Sequence, residues 1–167
     1  MSIRNLDHLL DPASVAVFGA SQRASSVGAT VWANLRGGGF KGPIYAVNPR
    51  YQDFDGVPVY ASAATLPTVP ELAVICTPAA VVPGLIAELG ALGTRAAIVL
   101  SAGLDSAQRK AMLDAARPYL LRILGPNCIG MLSPHKGLNA SFAHVTAAPG
   151  ELAFVSQSGA LVTAMLD

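Results

Sequence analysis

The sequence predicts an α/β fold, a doubly wound, Rossmann-like parallel sheet with helices on both faces. Short apolar, β-branched runs alternate with longer segments of helical pattern, which is typical of parallel α/β domains. The strand runs are almost continuously apolar, as expected when helices cover both faces of a sheet. Turn-forming glycine, proline, serine or asparagine follows each run, so each strand is expected to end in a short loop.

The first part of the chain predicts two strands, a helix between them and a short edge element. SVAVF (14–18) is the first strand and a helix covers about 27–36. GGGF (37–40) ends that helix because glycine adopts the left-handed cap readily. PIYAV (43–47) is the second strand, and VPVY (57–60) is the edge element.

The alternation of strands and helices continues through the rest of the domain. In order, we expect strand ELAVICT (71–77), a helix over about 80–92, strand AAIVLS (96–101), a helix over about 106–116 and strand LRILG (121–125). Pro83 is compatible with its helix because the first turn of a helix tolerates proline.

The pattern changes after Pro134. GLNASFAHVTAAPG (137–150) is interpreted as irregular, ELAFVS (151–156) as a new strand and SGALVTAMLD (158–167) as a new helix. A lone strand and helix make an incomplete unit. We therefore expect residues 1–145 to form one domain and residues 146–167 to begin a second, flavodoxin-like domain that is truncated here.

Composition excludes several classes of function. The net charge is only +1 and the basic residues are scattered, which argues against nucleic acid as a partner. No apolar run approaches the roughly 18 residues of a membrane span, and the start lacks the features of a signal peptide. The two cysteines are isolated, which predicts no metal site and a reduced, cytoplasmic protein. Charged residues are only 13%, so we expect part of the surface to be covered by a partner.

The first candidate site is the loop FGASQRASSVG (18–28), because ligands of open parallel sheets bind beyond the carboxyl ends of the strands. Glycine permits a tight turn there, and the free N–H groups of the following helix favour a phosphate. The predicted contacts are Gly19, Ala20, Ser21, Ser25, Ser26, Val27 and Gly28. The alternative is ordinary helix capping by Ser25 or Ser26, with no ligand.

The loop after the second strand contains Asn48, Pro49, Arg50 and Tyr51. A protein that prefers NAD places an acid there to hold the ribose diol, and this chain has none. The Arg50 guanidinium suits an additional phosphate on the ribose, which both NADP and coenzyme A carry. Tyr51 is a candidate to stack on adenine. A solvated arginine in a turn is the alternative.

The remaining loops favour a ligand with a long, uncharged arm, because their small side chains and backbone groups suit pantetheine amides better than a nicotinamide ring. The candidates are Thr77, Pro78, Ser101, Ala102, Gly103, Asn127 and Cys128. A nucleophilic Cys128 would need a nearby base, and no histidine is paired with it. We therefore predict no catalytic residue, and Cys76 is interpreted as a core residue.

Seven motifs together resemble, in order and spacing, the N-terminal CoA-binding domain of the NDP-forming acyl-CoA synthetases, relatives of the succinyl-CoA synthetase alpha subunit. They are VAVFGAS, GPIYAVNPRY, LAVICTP, AAIVLSAG, LRILGPNCIG, GLNASF and ELAFVSQSGAL. The resemblance runs from about Leu6 to Asp167. The opening of the chain and the stretch before LRILGPN look most like bacterial proteins that fuse this region to a GNAT protein acetyltransferase domain.

The resemblance implies that coenzyme A or acyl-CoA lies across the carboxyl edge of the sheet. The loop 25–28 would contact the phosphates of this ligand, and Arg50 or Tyr51 would contact its adenosine end. The loops at 77–78 and 101–103 would line the nucleotide and the pantetheine arm. Asn127 and Cys128 would lie toward the thiol end. A further phosphate contact in the parent protein is implied for Ser156, Gln157, Ser158 and Gly159.

The family's phosphorylated histidine belongs to the second domain and has no counterpart in this chain. The resemblance therefore implies a domain that is not catalytic alone and whose partners are the other synthetase domains of the parent. That parent is expected to be an acid–thiol ligase or an acetyltransferase fusion, in which the synthetase part can act as a sensor of acyl-CoA.

Two rival functions come from other classes of protein. One is an NADP-linked reductase domain, which the missing GxGxxG motif and the missing catalytic set disfavour. The other is an interface domain without a ligand, which the high apolar content would explain.

Overall fold

The computed structural model describes residues 3–166. Within them, a seven-stranded sheet has the order β3-β4-β2-β1-β5-β6-β7. Its strands are β1 (Val15–Phe18), β2 (Ile44–Val47), β3 (Asp53–Phe54), β4 (Val57–Tyr60), β5 (Leu72–Ile75), β6 (Ala96–Val99) and β7 (Arg122–Leu124). All neighbours run parallel except β3, which is antiparallel to β4. The predicted doubly wound fold is confirmed, although β3 takes the edge position expected for residues 57–60.

The helices are α1 (Asp7–Leu10), α2 (Val27–Gly37), α3 (Val82–Leu92), α4 (Ser106–Ala116) and α5 (Gly159–Leu166). Helices α2 and α4 begin at side-chain caps. Ser26 accepts from the amide of Ala29, and Asp105 forms a capping box with Gln108. Helix α3 ends at Gly93 in the left-handed conformation. Among residues 3–166, no helix has both the length and the apolar character needed to cross a membrane.

Helices cover both faces of the sheet because neighbouring residues of each strand point to opposite sides. Val15 and Val17 pack in one buried cluster with Leu35 of α2. Ala16 packs in the other cluster with Ile86 of α3, and α4 lies against α3 on that face. Every residue of β1 is buried, which explains the continuously apolar sequence of this strand.

The segment predicted as irregular contains a strand. Strands β8 (Gly130–Ser133) and β9 (Leu138–Ser141) form an antiparallel hairpin that packs beside α2. The Asn34 side-chain amide donates to the carbonyls of Ser141 and Ala143, each at 2.9 Å. The hairpin is held by its packing on α2 rather than by a strong strand pattern of its own, so the sequence did not predict it.

The strand predicted at 151–156 is absent from the structure. This segment follows the hairpin without a hydrogen-bonded neighbour, and a strand forms only when its backbone groups pair with another strand. Leu152 and Val155 are 98% and 95% exposed. The helix predicted from residue 158 is confirmed as α5, although Asp167 lies outside the described residues.

Candidate functional site

The strand order reverses between β1 and β5, and there the loops that follow these two strands touch. Gly19, directly after β1, has φ +85°, a conformation that favours glycine. A Cβ on this residue would lie 2.9 Å from the carbonyl oxygen of Cys76, directly after β5. The amide of Gly19 also donates to the Val47 carbonyl of β2 at 2.9 Å. The three strand ends therefore meet at one point on the carboxyl edge, where open α/β sheets bind ligands.

Helix α2 begins directly over this point. Gly28 is buried, and a Cβ here would overlap the carbonyl oxygen of Gly19, so only glycine allows the helix to approach so closely. Ser26 caps the helix and bonds its own hydroxyl to the Arg23 carbonyl at 2.8 Å. The capping role considered from the sequence is therefore confirmed for Ser26. The amides of Val27 and Gly28 belong to the first turn, which has no intrahelical acceptors and suits an anion.

The loop after β2 is held against the loop after β1. The Asn48 side-chain amide donates to the Ala20 carbonyl at 2.7 Å and accepts from the Arg50 amide at 3.0 Å. Arg50 is exposed at the same edge of the sheet. This arrangement puts a cation and the open start of α2 on adjacent loops.

Tyr51 packs as a wall of this site. Its ring meets Phe54 edge to face at 5.1 Å, and its hydroxyl lies 3.4 Å from the Ser21 hydroxyl. Phe54 in turn meets Trp32 of α2 at 5.9 Å. The ring is therefore tied into the aromatic core on one side, and its stacking on adenine stays a prediction.

The loops after β5, β6 and β7 are also joined. The Ser101 hydroxyl donates to the Thr77 carbonyl at 2.6 Å, and the backbone amide of Asn127 donates to the Ser101 carbonyl at 3.1 Å. The Thr77 hydroxyl is buried and has no hydrogen-bond partner among the described residues. A polar group without a partner marks a place where a polar ligand group or a water would be stabilising.

The two cysteines lie beneath these loops as protonated thiols. Burial raises the pKa of Cys76 to about 12, and the neighbouring Cys128 adds to the shift. Burial likewise raises the pKa of Cys128, against smaller opposing hydrogen bonds from the backbone of Gly130 and of Cys128 itself. The thiolate is the nucleophilic form, so neither side chain is prepared for covalent chemistry near neutral pH.

The start of α5 lies beside the end of the β7 loop. A Cβ on Gly159 would lie 3.7 Å from the Cβ of Ile129, the residue after Cys128. Ser158 accepts from the Leu161 amide at 3.3 Å, so it caps this helix. Ser156, through Oγ, accepts from the Ser158 amide. The second predicted phosphate contact, which also includes the exposed Gln157, is therefore adjacent to the loop that contains Asn127 and Cys128.

Several predicted residues contribute only exposed loop surface. Pro49, Pro78, Ala102, Gly103 and Ser25 are exposed at the tips of their loops.

The sequence analysis missed Gln22 and Asp55, which join the β1 loop to the β3–β4 turn by a 3.3 Å hydrogen bond. The Asp-Gly pair at 55–56 was a signal for that turn.

A cleft of about 460 Å³ lies at the opposite, amino edge of the sheet, between residues 11–13, 39–42 and 134–137. Two of its charged residues are paired with each other, since Lys136 contacts Asp11 at 2.6 Å. It contains none of the predicted contacts. The joined loops, rather than this cleft, have an open helix start, which suits a phosphate.

Together, the strand order, the glycine contact under α2 and the joined loops define an α/β domain of the class that holds a phosphate-bearing cofactor at its carboxyl edge. The particular family follows from comparison with known proteins. The chain belongs to the CoA binding domain family, whose model matches residues 13–134. The resemblance identified from the motifs is confirmed.

Curated relatives include ADP-forming acetate–CoA ligases. The chain is 38% identical to acetate–CoA ligase [ADP-forming] I of Archaeoglobus fulgidus over 97% of this chain and 24% of that protein. It is 36% identical to the alpha subunit of acetate–CoA ligase [ADP-forming] II of Pyrococcus furiosus, over 93% of this chain and 35% of that subunit. The chain therefore spans about a quarter to a third of the length of these relatives.

A solved structure agrees with the family assignment. The dinucleotide forming acetyl-coenzyme A synthetase 1 of Ca. Korarchaeum cryptofilum, in complex with phosphate and ADP, superimposes with a TM-score of 0.90. The two chains are 34% identical, and the match covers 96% of this chain and 36% of the other.

Proposed function

We propose that this chain binds coenzyme A or an acyl-CoA across the carboxyl edge of its sheet. The observation that carries the proposal is the approach of α2 to the β1 loop, which only Gly28 permits and which brings the amides of Val27 and Gly28 to the strand ends. These amides would bind the pyrophosphate. Membership of the CoA binding domain family supports coenzyme A over other cofactors with two phosphates.

Arg50 would bind the 3′-phosphate of the ligand. Asn48 fixes the backbone amide of Arg50. Arg50 is exposed, and its loop adjoins the loop that starts α2. A guanidinium matches the geometry of a phosphate, to which it can donate two parallel hydrogen bonds. The pantetheine arm would then pass the loops at 77–78 and 101–103 toward Asn127 and Cys128.

The segment 146–167 would begin a second domain of a larger acid–thiol ligase. Leu152 and Val155 are almost fully exposed, and the apolar helix α5 buries none of its residues 159–166. Surfaces of this kind are normally covered. The ADP-forming ligases among the relatives are longer than this chain, which supports further synthetase domains as its partners. In such a parent, the loop 156–159 would hold a phosphate near the thiol end.

A parent fused to an acetyltransferase domain is the finer alternative that the opening of the sequence suggested. The two parents differ in their chemistry. An ADP-forming ligase converts ATP to ADP and phosphate for each acid that it joins to coenzyme A, so sustained ADP formation requires ATP, acid and coenzyme A together, whereas a sensing domain binds acyl-CoA without forming ADP. Measuring ADP formation by the full-length parent therefore separates them.

The NADP-linked reductase is the rival that Arg50 alone does not exclude, since NADP also carries a ribose phosphate. The test compares ligands that differ by one phosphate. Replacing Arg50 by alanine should lower the affinity for coenzyme A about tenfold or more, which corresponds to the loss of one hydrogen bond to a charged group. The affinity for dephospho-CoA should change little.

Arg36→Ala is the matched control for Arg50→Ala. It removes the same charge from the far end of α2, where the guanidinium lies over the Trp32 ring, and should change neither affinity. Equal losses for both ligands in Arg50→Ala would remove the assigned role of Arg50.

A further inference from the structure

Asn48 uses all of its side-chain polar groups within the protein. Its Nδ2 donates to the Ala20 carbonyl at 2.7 Å, and its Oδ1 accepts from the Arg50 amide at 3.0 Å. Its own backbone amide donates to the Tyr60 carbonyl of β4 at 2.9 Å. The side chain is partly buried between the two loops. These bonds fix the orientation of the amide group, although Nδ2 keeps a second N–H and Oδ1 a second lone pair.

Only an amide side chain satisfies both neighbours. The Ala20 carbonyl can only accept and the Arg50 amide can only donate, so the orientation of the Asn48 amide is fixed by its partners. Aspartate would place an acceptor against the Ala20 carbonyl, and alanine would leave both groups without their partner.

We infer that Asn48 is a positioning residue for the phosphates of the ligand, although the sequence analysis counted it among the direct contacts. The inference rests on the proposed function. Through Oδ1, Asn48 closes a turn that aims Arg50, and through Nδ2 it fixes the residue that follows Gly19. One side chain thereby sets the distance between the Arg50 guanidinium and the loop that starts α2.

Two other side-chain bonds hold the β1 loop, and both are longer than those of Asn48. Ser21 and Tyr51 are 3.4 Å apart through their hydroxyls, and Gln22 donates to Asp55 at 3.3 Å from an exposed position. Gln22→Ala therefore removes a bond that holds the same β1 loop, to the β3–β4 turn, without touching Asn48. It is the matched control for Asn48→Ala.

The first experiment measures the dissociation constants of coenzyme A and dephospho-CoA for the chain and four variants. The variants are Asn48→Ala, Arg50→Ala, the double variant and Gln22→Ala. The preference for coenzyme A is the ratio of the two dissociation constants, and Asn48→Ala should reduce it about threefold or more. In the Arg50→Ala background, the same substitution should reduce the preference by less than about 1.5-fold, because the effects of residues that act through one another are not additive.

Three results would overturn the inference. An unchanged preference with a lower melting temperature would assign Asn48 a purely structural role. Additive losses of preference in the double variant would make it act separately from Arg50, and an equal loss of affinity for both ligands would show that it does not position Arg50. Gln22→Ala should retain the wild-type preference within about twofold, since an exposed hydrogen bond contributes little. A wild-type chain that binds neither ligand would instead contradict the proposed function.

Hydrogen–deuterium exchange of the unliganded chain tests the positioning role without any ligand. Exchange of the amides at 20–26 should accelerate in Asn48→Ala and stay at the wild-type rate in Gln22→Ala. Unchanged exchange in Asn48→Ala would overturn the inference. If Asn48→Ala does not fold, Asn48→Ser keeps an acceptor for the Arg50 amide but cannot reach Ala20, so exchange at 20–26 should still accelerate.

Discussion

Replacing Gly28 by alanine is the change that most directly tests how α2 meets the strand ends. In most helices this substitution stabilises, since alanine has the better helix propensity by about 1 kcal/mol. At Gly28 the added Cβ would overlap the carbonyl oxygen of Gly19. That oxygen belongs to the backbone of a loop tied to β2 and β5, so it cannot rotate away as a flexible side chain would.

The expected magnitude follows from these two opposing effects. Overpacking a buried site costs about 1–3 kcal/mol, and the rigid backbone contact puts Gly28 near the upper end. Subtracting the gain of about 1 kcal/mol in helix propensity leaves a net loss of about 2 kcal/mol in the free energy of unfolding. For a chain of this size, that loss lowers the melting temperature by about 4–8 °C.

Thermal and urea unfolding followed by circular dichroism measure the effect of Gly28→Ala. Gly84→Ala is the matched control, because Gly84 lies in the equally long helix α3 and a Cβ there would meet no atom within 4 Å. The control should be neutral or stabilising by up to about 1 kcal/mol. A Gly28→Ala chain at least as stable as the wild type would refute the close approach on which the proposed phosphate site depends.

Two further predictions concern titrating groups. The Ala13 amide, followed by His8, holds the pKa of Glu71 below its usual 4.5. A lowered pKa stabilises the folded state above the unfolded value and ceases to do so as the pH falls through the folded value. Glu71→Gln should therefore lower the free energy of unfolding by less than about 1 kcal/mol near neutral pH, and by less still in acid. Urea unfolding at both pH values measures this loss, and an equal loss at the two would contradict the prediction. Cys76 and Cys128 should resist iodoacetamide near neutral pH until urea unfolds the chain, because both pKa values are raised; rapid labelling of Cys128 in the folded chain would disprove the protonated state.

The central strands were predictable because burial on both faces leaves a strong signal in the sequence. Residues 15–18 and 96–100 are continuous apolar runs, and the structure has strands within both. The β8–β9 hairpin was not predictable, because packing on α2 stabilises it. The opposite error occurred at 151–156, where an apolar run predicted a strand that has no neighbour to pair with.

The positions of the candidate loops were predictable, but their connections were not. Glycine and serine after a strand indicate a ligand loop whatever the neighbouring loops contain. The bond from Asn48 to Ala20 joins residues 28 positions apart and exists only because β1 and β2 pair in register. For this reason Asn48 looked like a ligand contact in the sequence and is interpreted as a positioning residue in the structure.

Isothermal titration of the chain with coenzyme A and, in parallel, with NADP tests the central claim most directly. Both ligands carry a pyrophosphate and a ribose phosphate, so a site that recognised only these groups would bind both. The account predicts binding of coenzyme A, since the loops beyond Arg50 would take its pantetheine arm, and no heat from NADP at the same concentration. Binding of NADP with no heat from coenzyme A would contradict the account and restore the reductase reading of Arg50.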